Sequence, residues 1–167
     1  GAVVSFGPRV LLVCGLSVAA CVFFEWGYRK VMKLDNTVRD LSAVVTGLLL
    51  AFVCPVTIPY WTILVGDFFA IIIVKQLFGG IGKNFMNPAL AARAFLFWPV
   101  IMTTWVQPGD WAPLFGSSAD AVTSATPLAS LHQSALPAES LMSLFLGKTG
   151  GCLGETSALL LLLGGLY

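Results

Sequence analysis

Long apolar runs separated by short polar breaks make up most of the chain. The runs predict membrane-spanning helices at about 8–24, 41–54, 60–77 and 88–105, with an incomplete fifth span at 154–167. A helix needs about twenty apolar residues to cross a bilayer. The runs do not alternate between polar and apolar positions, which favours a helical bundle over an outer-membrane barrel. The predicted fold class is therefore all-α, a polytopic transmembrane helical bundle.

Prolines and glycines divide the runs. Pro55 and Pro59 stop the second run after a short stretch, which predicts a discontinuous helix supported by neighbouring parts of the protein. A glycine-rich turn is predicted at 78–84. A further helix is expected to begin at Asn87-Pro88, because proline is well placed at a first helical position.

Composition supports the membrane interpretation. The chain is 57% hydrophobic and only 10% charged, and its mean hydropathy is +0.90, whereas soluble domains carry about a quarter charged residues. The net charge of +1 and the absence of a basic run argue against nucleic acid as a partner. The four cysteines have no close pairing and are interpreted as small core residues, so no metal site is predicted.

The whole chain, 1–167, is interpreted as a single transmembrane domain. Its last apolar run stops at Tyr167, short of the length of a span, so we expect a fragment of a longer membrane protein. Arg9 and Glu25 flank the first run and are interpreted as interface anchors. Basic residues in 29–39, with Lys75 and Lys83, predict a cytoplasmic side, which places a loop at about 106–127 on the outer side.

Ionisable residues inside the predicted spans are candidates for an ion pathway. A charge near the bilayer centre costs at least about 2.5–3.5 kcal/mol, so Asp67 and Arg93 should face protein or water, as partners or as part of an ion route. Glu155 is a third candidate. Lys75 and Glu155 also lie close enough to helix ends for their side chains to reach the interface, which is the structural alternative.

A polar stretch at 120–127 combines hydroxyls, small residues, one carboxylate and a proline. This composition is typical of a turn. Thr126 has small or rigid neighbours and space for a bulky group, while Asp120 is the only nearby carboxylate. Thr123 and Ser124 are chemically similar, so spacing alone does not choose between the three hydroxyls.

The segment 79–97 has two interpretations. Glycines allow a backbone to approach a flat ligand, and Asn84 and Asn87 near a helix start could hold its polar edges. Alternatively, the segment is a glycine turn followed by an asparagine cap. The single Asn-Pro-Ala is also similar to water channels, which leaves a small-solute channel or transporter as a hypothesis.

Four stretches closely resemble the RnfD/NqrB family of redox-driven ion pumps. They are DLSAVVTGLLLAFVCP, VKQLFGGIGKNFMNPALAARAFLF, DAVTSATPL and GCLGETSALLLLLGG. The resemblance covers nearly the whole chain and leans to RnfD. It implies a fold of two inverted repeats resembling urea transporters, with this chain holding most of the first repeat. It also implies a multi-pass location in the bacterial inner membrane.

The resemblance further implies two flavins. DAVTSATPL looks like the family's flavinylation motif, in which the last threonine, Thr126, carries FMN through a phosphoester bond made by a separate flavin transferase. The remaining cofactor-binding residues that it implies are Asp120, Thr123, Ser124 and Ala125. Ala121 stands where the family usually has glycine. A second, non-covalent riboflavin is associated with the family, and its contacts are expected at Asn84 and Asn87.

By resemblance, the chain is expected to be a membrane subunit of a ferredoxin–NAD oxidoreductase complex of the Rnf type. It would pass electrons to other membrane and peripheral subunits while the complex moves Na⁺ or H⁺. The flavin does the redox chemistry, so no catalytic side chain is assigned. The alternatives are an NqrB-type subunit of the sodium-pumping NADH–quinone reductase, the channel or transporter, and a purely structural membrane subunit.

Overall fold

A computed structural model describes residues 2–96, 114, 131–132, 140–148, 150–154 and 157–166. The chain forms two compact units. The first comprises Gly1–Leu11, Pro55–Thr57 and Thr103–Tyr167, and the second comprises Leu12–Cys54 and Ile58–Met102. No strand occurs among the described residues, which confirms the all-α prediction.

Helices make up most of the described residues. They are α1 (Ala2–Phe6), α2 (Arg9–Val31), a 3₁₀ turn (Val38–Asp40), α3 (Ser42–Phe52), α4 (Tyr60–Phe68), a π-helical segment (Phe69–Gln76), α5 (Pro88–Leu96), α6 (Leu141–Leu146) and α7 (Ala158–Leu166). In the second unit, α3, α4, the π segment and α5 pack against one another. In the first unit, α6 packs against α7.

Helix α2 is 23 residues long and continues beyond the predicted apolar run. Within the described parts of the chain, it is the one helix both long and apolar enough to cross a membrane. Glu25 and the basic pair Arg29 and Lys30 lie inside the helix. The basic residues near its carboxyl end complement the helix dipole. The chain departs from helical geometry at Lys33, where φ is 54°. Charges near its end therefore did not stop the helix.

Helix α4 passes directly into the π segment. The wider turns of that segment are visible in hydrogen bonds five residues back, from Leu77 N to Ile72 O and from Gly80 N to Lys75 O, both 3.0 Å. Turns of this kind are rare and occur frequently at functional sites. The π segment carries Lys75 and Gln76 at its end, both of them buried.

The break between α3 and α4 is buried. Cys54 and Ile58 are 0% exposed in this non-helical stretch, which contains Pro55 and Pro59. Arg9 is also buried, and its Nε donates a hydrogen bond of 2.9 Å to Val56 O. Buried irregular backbone needs such internal partners. The predicted break is confirmed, whereas the prediction that Arg9 is an interface anchor is wrong.

Two glycines allow helices of the second unit to approach closely. A Cβ on Gly47 of α3 would lie 2.9 Å from Ser17 O and 3.0 Å from the backbone of Val18. A Cβ on Gly66 of α4 would lie 2.6 Å from the Leu96 side chain. The backbone of α3 therefore touches α2 at Ser17, which determines the position of that hydroxyl.

The turn before α5 agrees with its sequence prediction. Gly79, Gly80 and Gly82 have positive φ angles of 104°, 93° and 79°, values that glycine adopts at low cost. Helix α5 begins at Pro88, its predicted first position. Its last described residue is Leu96, so the rest of the predicted 88–105 span lies outside the described residues.

Candidate functional site

The predicted flavin-bearing stretch lies outside the described residues. This applies to Asp120, Thr123, Ser124, Ala125 and Thr126, and also to Glu155 of the predicted ion pathway. The described candidates are Asn84, Asn87, Asp67 and Arg93.

Asn84 and Asn87 organise the turn that leads into α5. Asn87 Oδ1 accepts hydrogen bonds from Ala89 N at 3.0 Å and Leu90 N at 3.3 Å, as a helix-capping side chain does. Asn84 Nδ2 donates to Met86 O at 2.8 Å. The capping interpretation of Asn87 is confirmed. These bonds use one end of each amide and leave the other ends available for a ligand, as far as the described residues show.

Asp67 is a buried carboxyl whose side-chain contacts among the described residues are uncharged. It lies in the last turn of α4 and is 0% exposed. Its Oδ1 contacts Ser17 Oγ at 2.6 Å and Cys21 Sγ at 3.2 Å. Ser17 Oγ also lies 2.9 Å from Gly47 O. Asp67 Oδ2 is buried and has no hydrogen-bond partner among the described residues.

A second buried site contains an ion pair. Lys75 Nζ lies 2.9 Å from Glu25 Oε2, and the two side chains are 3% and 1% exposed. Glu25 Oε1 accepts hydrogen bonds from Gln76 Nε2 at 2.9 Å and Thr37 Oγ1 at 2.8 Å. The predictions of Glu25 as an interface anchor and of Lys75 reaching the interface are wrong, because each charge is buried against the other.

The ion pair is connected to the start of α3. Lys75 Nζ also donates to Ser42 Oγ. Ser42 donates in turn to Asp40 Oδ1, from its hydroxyl at 2.6 Å and from its amide at 2.9 Å. Burial acts to raise the pKa of Asp40, but the two hydrogen bonds from Ser42 outweigh it and hold that pKa below its usual value. One polar network thus joins the ends of α2 and the π segment to the start of α3.

The two sites occupy successive levels of the same pair of helices. Ser17 pairs with Asp67, and Glu25 pairs with Lys75, in each case 50 residues apart in sequence. This constant separation means that α2 and the α4–π helix run parallel. Along α2, the two levels are about 12 Å apart, at 1.5 Å per residue.

Between the two levels lies an apolar layer. Cys21, Ala43 and Ile71 form a buried cluster, with Cys21 and Ile71 midway between the polar residues of their helices. Asp67 is therefore separated by packed side chains from the Glu25–Lys75 pair.

Sequence reasoning selected Asp67 but missed its surroundings. Ser17, Cys21 and Glu25 recur every four residues along α2, a spacing that places them on one face. That spacing was the available signal. Arg93 is half-buried on α5, but the hydrogen bonds of Asp67 run to α2 and not to Arg93.

Comparison with known sequences assigns the chain to a protein family. A profile of the NQR2, RnfD, RnfE family matches residues 1–167. The chain belongs to that family. The resemblance found in the sequence motifs is thereby confirmed.

Several curated relatives are similar over most of the chain. A subunit of the Na⁺-translocating ferredoxin:NAD⁺ oxidoreductase complex of Acetobacterium woodii is 49% identical, over 97% of this chain and 50% of the relative. A subunit of the proton-translocating ferredoxin:NAD⁺ oxidoreductase complex of Clostridium ljungdahlii is 41% identical, over 99% of this chain and 51% of the relative.

A more distant relative belongs to a different complex. It is a subunit of the Na⁺-translocating NADH-quinone reductase of Neisseria meningitidis, 35% identical over 91% of this chain and 38% of the relative. The two ferredoxin:NAD⁺ oxidoreductase relatives are thus more similar to this chain than the quinone reductase relative. The chain spans about half the length of those two relatives.

Proposed function

We propose that the chain belongs to a membrane subunit of an ion-translocating ferredoxin–NAD oxidoreductase complex of the Rnf type. The observation that carries this proposal is the family match over residues 1–167, together with identities of 49% and 41% to the two ferredoxin:NAD⁺ oxidoreductase relatives. An NqrB-type subunit is the second candidate, favoured by the 35% identity to the NADH-quinone reductase relative.

The proposed protein is a multi-pass protein of the bacterial inner membrane, with a urea-transporter-like inverted repeat of which this chain holds most of the first half. Support comes from the apolar helix α2 and from the parallel course of α2 and α4. Helices α2 and α4 can both cross the membrane in the same direction if the shorter helix α3 between them crosses in the opposite direction. The 106–127 loop would then lie on the outer side.

Thr126 is the proposed attachment site of FMN. The support is the DAVTSATPL sequence, which resembles the flavinylation motif of the family. A separate flavin transferase would make the phosphoester. Bound there, FMN would accept and pass on electrons between partner subunits, and the protein would supply its position and electrostatic surroundings.

A non-covalent riboflavin is proposed beside the turn before α5. Asn84 and Asn87 would contact its polar edges through the amide ends that the turn does not use. Exposed apolar side chains flank them, including Phe85 at 66% and Ile81 at 65% exposure, and Phe78 packs against Phe85 with ring centroids 4.8 Å apart. Amides beside exposed apolar and aromatic groups fit a flat heteroaromatic ring.

Asp67, Arg93 and Glu155 are the proposed members of an ion pathway. Support is strongest for Asp67, because a buried carboxyl without a charged partner is costly in an apolar helix and is usually retained for function. The electron transfer at the flavins would be coupled to Na⁺ or H⁺ movement through this subunit and its partners.

The attachment of FMN can be tested in the full-length protein. Co-expression with a flavin transferase should give a fluorescent band in a denaturing gel, and peptide mass spectrometry should locate the flavin phosphate on Thr126. The Thr126→Ala variant should lose the fluorescence. Covalent flavin retained in Thr126→Ala would refute the assignment.

The neighbouring hydroxyls supply matched controls. Thr123→Ala and Ser124→Ala remove the two other candidate oxygens of the stretch, and any flavin attached in these variants should still be found on Thr126. Flavin located on Thr123 or Ser124 in the unchanged protein would contradict the assignment of Thr126 as the attachment site. A protein that carries no flavin and conducts small solutes in liposomes would favour the transporter hypothesis instead.

A further inference from the structure

Among the described residues, no charged group contacts the buried carboxyl of Asp67. On α2 the facing groups are Ser17 and Cys21, with Glu25 about two turns beyond Ser17 and Arg9, which donates to Val56 O, about two turns before it. Helix α3 has no ionisable residue, and Arg93 is the only one on α5. The π segment contributes Lys75, whose charge is neutralised by Glu25 at 2.9 Å. An isolated buried carboxylate is expensive, and such groups take up a proton instead.

The contacts around Ser17 require more protons than Ser17 itself supplies. Ser17 has one hydroxyl proton but two oxygen neighbours, Asp67 Oδ1 at 2.6 Å and Gly47 O at 2.9 Å. If Asp67 were ionised, neither neighbour could supply a proton. The single Ser17 proton could then form a linear hydrogen bond with only one of them, and the other short contact would bring two acceptor oxygens together. Asp67 Oδ2 would also be a buried anionic oxygen without a donor among the described residues.

Protonation of Asp67 satisfies both contacts. The acid O–H donates to Ser17 Oγ, and the Ser17 hydroxyl donates to Gly47 O. The distance of 2.6 Å is in the normal range for an O–H···O bond. Cys21 Sγ then donates weakly to the same carboxyl. The close approach of Gly47 to Ser17 holds the final acceptor in place.

We propose that Asp67 is a neutral carboxylic acid at neutral pH and forms an exchangeable proton-binding site, with Ser17 and Gly47 positioning its proton. Release of that proton to water leaves a carboxylate, and rotation of the Ser17 hydroxyl from Gly47 O to Asp67 Oδ1 stabilises it. Rebinding reverses both steps. The use of this site in ion transport rests on the proposed function, whereas the protonation itself does not.

The adjacent π segment supports a functional role. It begins at Phe69, two residues after Asp67, and its wider turns replace the normal pattern of backbone hydrogen bonds. Such segments often mark functional positions in helices. The Cys21–Ala43–Ile71 layer closes one side of the site, so proton exchange requires access from elsewhere or a transient opening of this layer.

Infrared spectroscopy tests the protonation state directly. The full-length protein in its complex, reconstituted in lipid, should show the C=O stretch of a protonated acid at neutral pH, with a shift in D₂O. This band should be absent from Asp67→Asn and present in Asp35→Asn, which changes an exposed aspartate. A spectrum that is the same in Asp67→Asn would overturn the proposal.

Folding and cation exchange give independent readings. Because an asparagine amide can donate to Ser17 as the acid does, Asp67→Asn should unfold at nearly the same temperature as the unchanged protein. A large loss of stability would show that a carboxylate is required. Na⁺ added at fixed pH should leave the band in place, and its loss would identify a cation site rather than a proton site.

Measurements of flavin and transport separate this proposal from the proposed function. Asp67→Asn should keep covalent flavin on Thr126 and lose ion transport. Absence of flavin from the unchanged protein would refute the flavin assignment while leaving the infrared result valid. An Asp67→Asn complex that transports ions at the normal rate would refute the role of Asp67 in coupling.

Discussion

The Glu25–Lys75 ion pair should hold the ends of α2 and the π segment together. At 2.9 Å, two unit charges attract by about 6 kcal/mol at an effective dielectric constant of about 20. The cost of removing both ions from water offsets much of this attraction. Removal of one partner leaves the other charge buried, so Lys75→Met and Glu25→Gln should each lower the free energy of unfolding by about 3–5 kcal/mol.

The double variant distinguishes pairing from simple packing. Glu25→Gln combined with Lys75→Met removes both charges, so its cost should be about 2–3 kcal/mol smaller than the sum of the single costs. Unfolding of the full-length protein in detergent can be followed with a thiol-reactive fluorophore, because Cys21 and Cys54 are 0% exposed until the fold opens. Lys148→Met is the matched control on an exposed lysine, expected to change stability by less than about 0.5 kcal/mol.

Two outcomes would refute this reasoning. Additive costs in the double variant would show that the two charges do not stabilise each other. A single variant that costs no more than the Lys148→Met control would show that its charge is not buried in the protein as it exists in detergent.

The remaining predictions concern helix contact and the turn before α5. Gly47→Ala places a Cβ 2.9 Å from Ser17 O and should lower the free energy of unfolding by about 1–3 kcal/mol. The control Gly15→Ala has nothing within 4 Å of its Cβ and should be neutral or stabilise α2 by up to about 1 kcal/mol. Thermal unfolding measures both variants, and equal effects would contradict the close contact. Asn87→Ala should cost about 0.5–2 kcal/mol as a lost cap, while Asn87→Asp keeps the capping oxygen and the stability but removes the amide donor. Chromatography of released flavin then tests the riboflavin contact, which is refuted if Asn87→Asp retains riboflavin in full.

Local features of the fold were predictable because their causes are local. The prolines at 55 and 59 remove backbone donors, and the glycines at 79, 80 and 82 permit positive φ, so the break and the turn could be placed from sequence. The start of α5 at Pro88 follows from the same kind of rule. Motif resemblance identified the family for a different reason, since it draws on whole stretches of sequence.

The buried polar sites could not be predicted in this way. Glu25 and Lys75 each lie near the end of an apolar run, where a charge normally marks the interface. Their pairing across 50 residues depends on the parallel packing of α2 with the α4–π helix, which a single sequence does not reveal. Asp67 was found because it lies inside an apolar run, but its bonds to Ser17 and Cys21 depend on the same packing.

The two buried sites differ in what a change of charge would do. Glu25 and Lys75 neutralise each other, and each has a further hydrogen-bond partner, so removal of either charge would leave the other buried without its counter-charge. Asp67 has one hydroxyl, one thiol and an open oxygen among the described residues, so its charge can change with only the rotation of Ser17. Of the two levels of the α2–α4 pair, the ion pair is therefore suited to fixing the helices, and Asp67 is suited to binding and releasing a proton.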